Sequence, residues 1–349
     1  MAHDRIPASL PVATTMRRHA SGRAWLAELP AMISDFVERW ELRLGLPFHG
    51  GSCSWAAPAW RRDEAEPLVF KITWPHPEAT SEGMSLRNWS GRGAVRVLAH
   101  DAERYALLLE RCTPGTPLAR THGTPAEERL ACAADVLRTL WSVLPPGTGR
   151  ADTYTEVPTP AATSAACRTA APGTTAAPPA TAPYGVPPLA RITAEWADIA
   201  EERAHRVWPD GIDPGLFALA AELMRKLPES AEHTVLLHGD FNPGNVLAAR
   251  RSPWLAIDPK PMTGDPAFDP WPLIEQVDAP FAYPEPRGVL LRRTAMLAEL
   301  LGQDVSRLRA WTVVRHLEHA LWSVVEDDDM RRSISLMRQS RVLADVAGL

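Results

Sequence analysis

The stretch TVLLHGDFNPGNVLAARRSPWLAIDPKP, residues 234 to 261, constrains the fold more than any other part of the chain. Its apolar runs, TVLL, NVLAA and WLAI, are too short for helices. Each is bounded by turn-forming residues, so each reads as a short strand. FNPG is turn chemistry, and Gly239 permits a backbone conformation or a close approach that a side chain would block. The polar residues fall at the strand ends: Asp240 after the first, Asn245 at the start of the second, Asp258 at the end of the third. Two hairpin-like strands would carry all three to one edge.

Two carboxylates and an amide at one edge suit phosphoryl transfer. One carboxylate can accept or orient the proton of an acceptor hydroxyl. The second carboxylate and an amide oxygen are hard ligands for Mg²⁺, which bridges phosphates. The Asp-x-x-x-x-Asn spacing from Asp240 to Asn245 is that of a kinase catalytic loop. Taken alone, Asp240 reads as an ordinary turn residue. His238 reads as a partner for the loop backbone rather than an acid or base, and Asp269 as a brace for that loop.

The rest of the chain supplies the setting. Its 349 residues are enough for two lobes, and 45% of them are hydrophobic. The net charge of −5 argues against a nucleic-acid binder held by a basic surface. Cys53, Cys112, Cys132 and Cys167 show neither a CxxC spacing nor a disulfide framework, so reduced thiols are expected. No signal peptide or membrane-spanning run is evident, which leads to the expectation of a cytoplasmic protein.

Residues 23 to 44 have a helical rhythm in Trp25, Leu26, Ile33, Phe36, Val37 and Trp40, with Pro30 starting a helix or dividing two. Residues 47 to 60 read as a turn-rich stretch. PLVFKI (67 to 72) reads as a strand and residues 77 to 89 as a helix. Residues 94 to 100 and 104 to 110 read as strands joined at Asp101. Helices are expected at 126 to 144, 190 to 206, 213 to 227, 289 to 302, 306 to 325 and 330 to 345. Between them, about 145 to 188 is rich in Pro, Ala and Thr and reads as a flexible linker or inserted loop. His316 and His319, three apart on a helix, form a possible metal pair without an evident third ligand. The run EDDDMRR (326 to 332) reads as a solvated helix junction, or as an acidic surface for a cationic substrate.

HGDFNPGN, followed by AIDPKPMTGDPAFDP, resembles the aminoglycoside phosphotransferase family of kinase-like enzymes, and within it the streptomycin 6-phosphotransferase and hydroxyurea phosphotransferase branch. VFKITWPHPEATSEGMSLRNWSGRGAVRVLAHD and ALLLERCTPGTPL carry the likeness upstream. It extends from about 40 to 325, apart from the Pro/Ala/Thr-rich insert.

The resemblance implies an α+β, protein-kinase-like fold of two lobes. Residues 1–110 would form a small sheet-containing N-lobe with an N-terminal helical segment, and 111–349 a mostly helical C-lobe. It implies Asp240 as catalytic base, with Asn245 and Asp258 holding Mg²⁺. Lys71 would contact the nucleotide phosphates and pair with Glu82, with Glu78 a second candidate partner. Backbone groups around Glu110 to Cys112 would bind the purine. The HGGSCSW loop, including Ser52, would cover the phosphates, although it lacks the GxGxxG of protein kinases. The reaction implied is transfer from ATP to the 6-hydroxyl of streptomycin or a related aminoglycoside, giving antibiotic resistance. Hydroxyurea is the nearest alternative acceptor. The partner would be a small molecule and the protein a monomer or homodimer. A non-catalytic, pseudokinase-like nucleotide binder is a reading from another class, and a metal-dependent hydrolase using His238, Asp240 and Asp258 is a third.

Overall fold

A computed structural model describes residues 6–145, 183–326 and 330–349. Most of the Pro/Ala/Thr-rich stretch, and residues 327 to 329 of the acidic run, therefore lie outside the described residues. The described residues form two compact units. One holds residues up to 91 together with 95–111. The other holds 92–94, 112–145 and the chain from 183 onward.

The first unit opens with helices α1 (Pro11–Met16) and α2 (Ala20–Arg39). Pro30 lies inside α2 and neither starts nor divides it. The helix runs through because Trp25, Leu29, Ile33 and Phe36 bury one continuous face in the core of the unit. The helical rhythm of 23 to 44 overshoots, however. Glu41 takes a left-handed φ of 53° that ends the helix, and Leu42–Leu44 form strand β1.

The stretch read as turn-rich contains strand β2 (Ser54–Arg61), whose burial alternates along its length. Pro58 masked it in the sequence, since proline cannot donate to a sheet ladder. Here the proline falls just past the end of β1. Its carbonyl accepts the N–H of Gly45 at 2.8 Å, and its missing donor faces the same side.

Strands β3 (Leu68–Thr73), β4 (Val97–Asp101) and β5 (Ala106–Glu110) complete an antiparallel sheet of order β1-β2-β3-β5-β4. Leu68, Phe70 and Ile72 of β3 are fully buried. Phe70 meets Phe36, Trp40 and Trp55 edge-on at 5.6–5.7 Å between ring centroids. Burying each such side chain contributes about 1.5–3 kcal/mol. Helix α3 (Glu82–Trp89) follows a 3₁₀ turn at Pro77–Ser81.

The second unit is mainly helical: α4 (Ala126–Trp141), α5 (Leu189–Ala204), α6 (Pro214–Glu229), α7 (Trp271–Gln276), α8 (Pro286–Leu301), α9 (Val305–Glu326) and α10 (Met330–Ala347). The linker reading extends too far at its C-terminal end. Tyr184 and Val186 are buried, Tyr184 Oη donates to the carbonyl of Val143 at 2.6 Å, and Thr263 N–H donates to Pro187 O.

Four short strands sit among the helices: β6 (Val235–Leu237), β7 (Val246–Ala248), β8 (Trp254–Ala256) and β9 (Met262–Gly264). Their pairing corrects the hairpin expectation. Strand β7 pairs with β8, but β6 pairs with β9, a strand the sequence reading left unassigned. The polar residues therefore hang from two separate ribbons. The described cysteines, Cys53, Cys112 and Cys132, form no disulfide. No described helix is long and apolar enough to cross a membrane.

Candidate active site

In the second unit, β6 leads into the loop His238–Asn245, and that loop is tied down at nearly every residue. His238 N–H donates to Asp269 Oδ2 at 3.0 Å, and Gly239 N–H to Asp269 Oδ1 at 2.8 Å. Trp141 Nε1 of α4 donates to the same Oδ2 at 3.0 Å. The bracing role expected for Asp269 is thus present in the geometry. The cause lies in the GDPAFDP segment, where a 3₁₀ turn at Pro266–Phe268 presents Asp269 just ahead of α7. Burial pushes the Asp269 carboxyl up, while His238 and the three N–H donors oppose that shift.

His238 is fully buried. Its Nε2–H donates to Ile257 O at 3.0 Å, and its Nδ1 accepts the N–H of Asp240 at 3.3 Å. Burial holds its pKa below the ordinary value, against the opposing charges of Asp269 and Asp240. A neutral ring with both nitrogens engaged by backbone serves as a backbone partner, and neither a metal ligand nor an acid is left over.

Asp240 sits one residue past Gly239, whose φ is +79°. A Cβ on Gly239 would lie 1.9 Å from the carbonyl oxygen of Lys260, so only glycine allows this approach. Asn242 Nδ2 donates to Asp240 Oδ1 at 3.1 Å, while its own Oδ1 accepts Gly244 N–H in an Asx turn. Asn245 Nδ2 donates to the backbone carbonyl of Asp240 at 3.0 Å, and the Asn245 carbonyl accepts Ile257 N–H at 2.9 Å. The residue before Asp258 is therefore bonded to Asn245, and Asn245 to Asp240. These contacts bring the three sequence-selected residues together despite their separate ribbons.

The donor set fits a hard divalent cation. The Asn245 amide nitrogen faces a carbonyl, so its Oδ1 points away from that contact, and Asp258 contributes a carboxylate from a left-handed turn, φ +57°.

In the first unit, Lys71 on β3 and Glu82 at the start of α3 form an ion pair of 2.6 Å, both buried. Glu78, the other candidate partner, is exposed on the 3₁₀ turn. Ser52 is exposed before β2, its hydroxyl 3.6 Å from Cys53 Sγ. At the end of β5 the N–H of Glu110 donates to Arg96 O, and that of Arg111 to Pro67 O. Those two donors are used within the sheet. Cys112 is buried in the second unit.

The sequence reading missed several residues at the loop. Lys260 Nζ lies 3.8 Å from Asp240 Oδ2. Arg315 of α9 sits over the Phe268 ring at 4.4 Å and donates from Nη2 to Gly239 O. The isolated lysine of DPKP was a visible signal for the first; an arginine in an apolar helical run gave little for the second. The possible metal pair resolves otherwise. His316 and His319 both face Glu275, at 3.2 and 3.9 Å, and no three-ligand metal group occurs among the described residues.

A buried strand lysine paired with a helix carboxylate, a His-Gly-Asp loop with an asparagine five residues after its aspartate, and a further aspartate thirteen residues on define a kinase-like phosphotransferase. The fold agrees: an aminoglycoside phosphotransferase solved with AMP-PNP and hygromycin B superposes with a TM-score of 0.55 at 14% identity, over 90% of this chain and 98% of that one. The chain belongs to the aminoglycoside/hydroxyurea antibiotic resistance kinase family, whose profile matches residues 39–150 and 154–327. It is 32% identical to a streptomycin 6-kinase of Streptomyces glaucescens, over 91% of each protein. It is 33% identical to a hydroxyurea phosphotransferase of Kitasatospora aureofaciens, over 98% of this chain and 87% of that protein. This protein is accordingly an antibiotic-modifying kinase, a phosphotransferase acting on a hydroxyl group.

Proposed function

We propose that the chain transfers the γ-phosphoryl group of ATP to the 6-hydroxyl of streptomycin or a closely related aminoglycoside. The observation that supports the catalytic part is the run of hydrogen bonds from Asp240 to Asn245 and from Asn245 to Ile257, the residue before Asp258. The acceptor follows the streptomycin 6-kinase relatives, two of which match over about nine tenths of the chain.

Asp240 orients the acceptor hydroxyl and takes its proton as the oxygen attacks the γ-phosphorus. The bond to the β-phosphate oxygen breaks and ADP leaves with the electron pair. Asn245 Oδ1 and the Asp258 carboxylate would hold Mg²⁺, which would supply neutralisation of phosphate charge. Lys71, fixed by Glu82, contacts the nucleotide phosphates. Ser52 belongs to the loop that covers them, and the segment Glu110–Cys112 faces the purine. The N–H groups of Glu110 and Arg111 already bond Arg96 O and Pro67 O, so they are not the purine contacts. The site is pre-organised by Asp269, so positioning and charge neutralisation supply most of the rate.

Hydroxyurea is the second acceptor reading, favoured by a relative of equal similarity. The Lys71–Glu82 ion pair and the Asn245–Asp240 hydrogen bond favour a catalytic reading over a non-catalytic binder. Mass spectrometry of streptomycin, other aminoglycosides and hydroxyurea after incubation with ATP, Mg²⁺ and the protein tests the acceptor. A phosphate added to streptomycin is the expected result, and a phosphate added only to hydroxyurea replaces the first reading with the second.

A further inference from the structure

Lys260 stands between two prolines in Asp258-Pro259-Lys260-Pro261. A residue before proline is confined to extended conformations, so its backbone has little freedom. The fold removes the rest. Lys260 N–H donates to His238 O at 2.8 Å, and its own carbonyl packs so closely on Gly239 that a Cβ there would come within 1.9 Å. From this fixed backbone the side chain brings Nζ to 3.8 Å from Asp240 Oδ2. The lysine side chain is 47% exposed and that of Asp240 27%, so the pair lies open to a ligand. An ion pair this exposed contributes at most about 1 kcal/mol to stability. Stability alone does not account for so firmly held a lysine.

The loop HGDFNPGN contains neither lysine nor arginine. Arg315 reaches its backbone, but Nη1 of Arg315 is paired with Glu318 at 3.2 Å. Lys260 Nζ thus brings positive charge beside the Asp240 carboxylate.

We propose that Lys260 is a catalytic residue whose ammonium contacts the non-bridging oxygens of the phosphoryl group in transit. This rests on the assignment of Asp240 as the base. If Asp240 holds the acceptor hydroxyl, the acceptor oxygen lies roughly 3 Å from the carboxylate and the phosphorus roughly 3–3.5 Å further on. A phosphoryl oxygen then falls within reach of an ammonium anchored beside that carboxylate. As the acceptor O–P bond forms and the bond to ADP breaks, charge spreads over the three equatorial oxygens, and Lys260 stabilises it there.

The test compares Lys260→Met and Lys260→Arg with the wild type in Mg²⁺-ATP, using streptomycin as one acceptor and water, in slow ATP hydrolysis, as another. Lys260→Met should lower kcat about 100-fold with both acceptors, with KM for streptomycin within about threefold. Its urea unfolding midpoint should match the wild type, and Lys260→Arg should recover about a tenth or more of the rate. A Lys260→Met enzyme with kcat within about threefold of wild type overturns the proposal. So does a loss that Lys260→Arg shares in full alongside a lowered unfolding midpoint. Asp240→Asn serves as the separating control: full turnover in that variant overturns the base assignment, and the role of Lys260 falls with it.

Discussion

The carboxylate of Asp269 accepts the backbone N–H of Gly239 at 2.8 Å, and this contact fixes the loop that carries Asp240. With His238 N–H and Trp141 Nε1 on its other oxygen, Asp269 meets three donors. Asp269→Asn would turn an NH₂ group toward at least one of them. The cost is a buried donor-to-donor contact, about 2–4 kcal/mol of stability. Steady-state kinetics should show kcat reduced about 100-fold even where the variant stays folded, because Asp240 loses its fixed position.

Glu82 pairs with Lys71 at 2.6 Å inside the first unit. Glu82→Ala removes this carboxylate from a buried ammonium and should cost about 3 kcal/mol in chemical denaturation. It should also raise KM for ATP by about tenfold or more, since Lys71 is then no longer held. Glu78→Ala, on the exposed turn, should change both quantities less than Glu82→Ala does. Equal effects from the two variants would move the pairing from Glu82 to the whole turn.

Gly239 combines φ +79° with the close approach of the Lys260 carbonyl. Gly239→Ala imposes a left-handed alanine, about 1 kcal/mol, and in addition a contact that only backbone movement relieves. The expected outcome is loss of turnover by about 100-fold or more, read in a coupled ADP-release assay.

His100 governs part of the acid response. Burial first, then the charge of Arg87, lower its pKa from 6.5 to about 4, with Asp101 opposing. The unfolded chain therefore takes up a proton near pH 6.5 that the folded chain resists until about pH 4. The unfolded state binds more protons across that window, so stability falls as pH drops through it. Burial shifts His238 and His319 the same way. Urea midpoints measured between those two pH values should decline in the wild type and decline less steeply in His100→Gln.

The sequence made the site more legible than the fold around it. Asp240, Asn245 and Asp258 stood out as candidates because turn residues and a kinase-like spacing isolate them, and the hydrogen bonds through Asn245 link the segments that carry them. The partner of Lys71 was chosen as Glu82 over Glu78 through the family resemblance, since Lys71 has several acidic residues near it in sequence and spacing alone does not select one. Strand β2 was not readable, since the end of β1 that accommodates Pro58 is a matter of register. The pairing of β6 with β9 was hidden because three-residue strands carry almost no periodicity. Lys260 and Arg315 reach the loop from other segments, through contacts that spacing does not encode.

The most direct test of the account is ATP-dependent phosphorylation of streptomycin by the wild type and by Asp240→Asn, followed by mass. The wild type should add one phosphate and release one ADP. The variant should bind ATP with unchanged affinity, yet transfer at least about 100-fold more slowly. Transfer by Asp240→Asn at the wild-type rate would contradict the account.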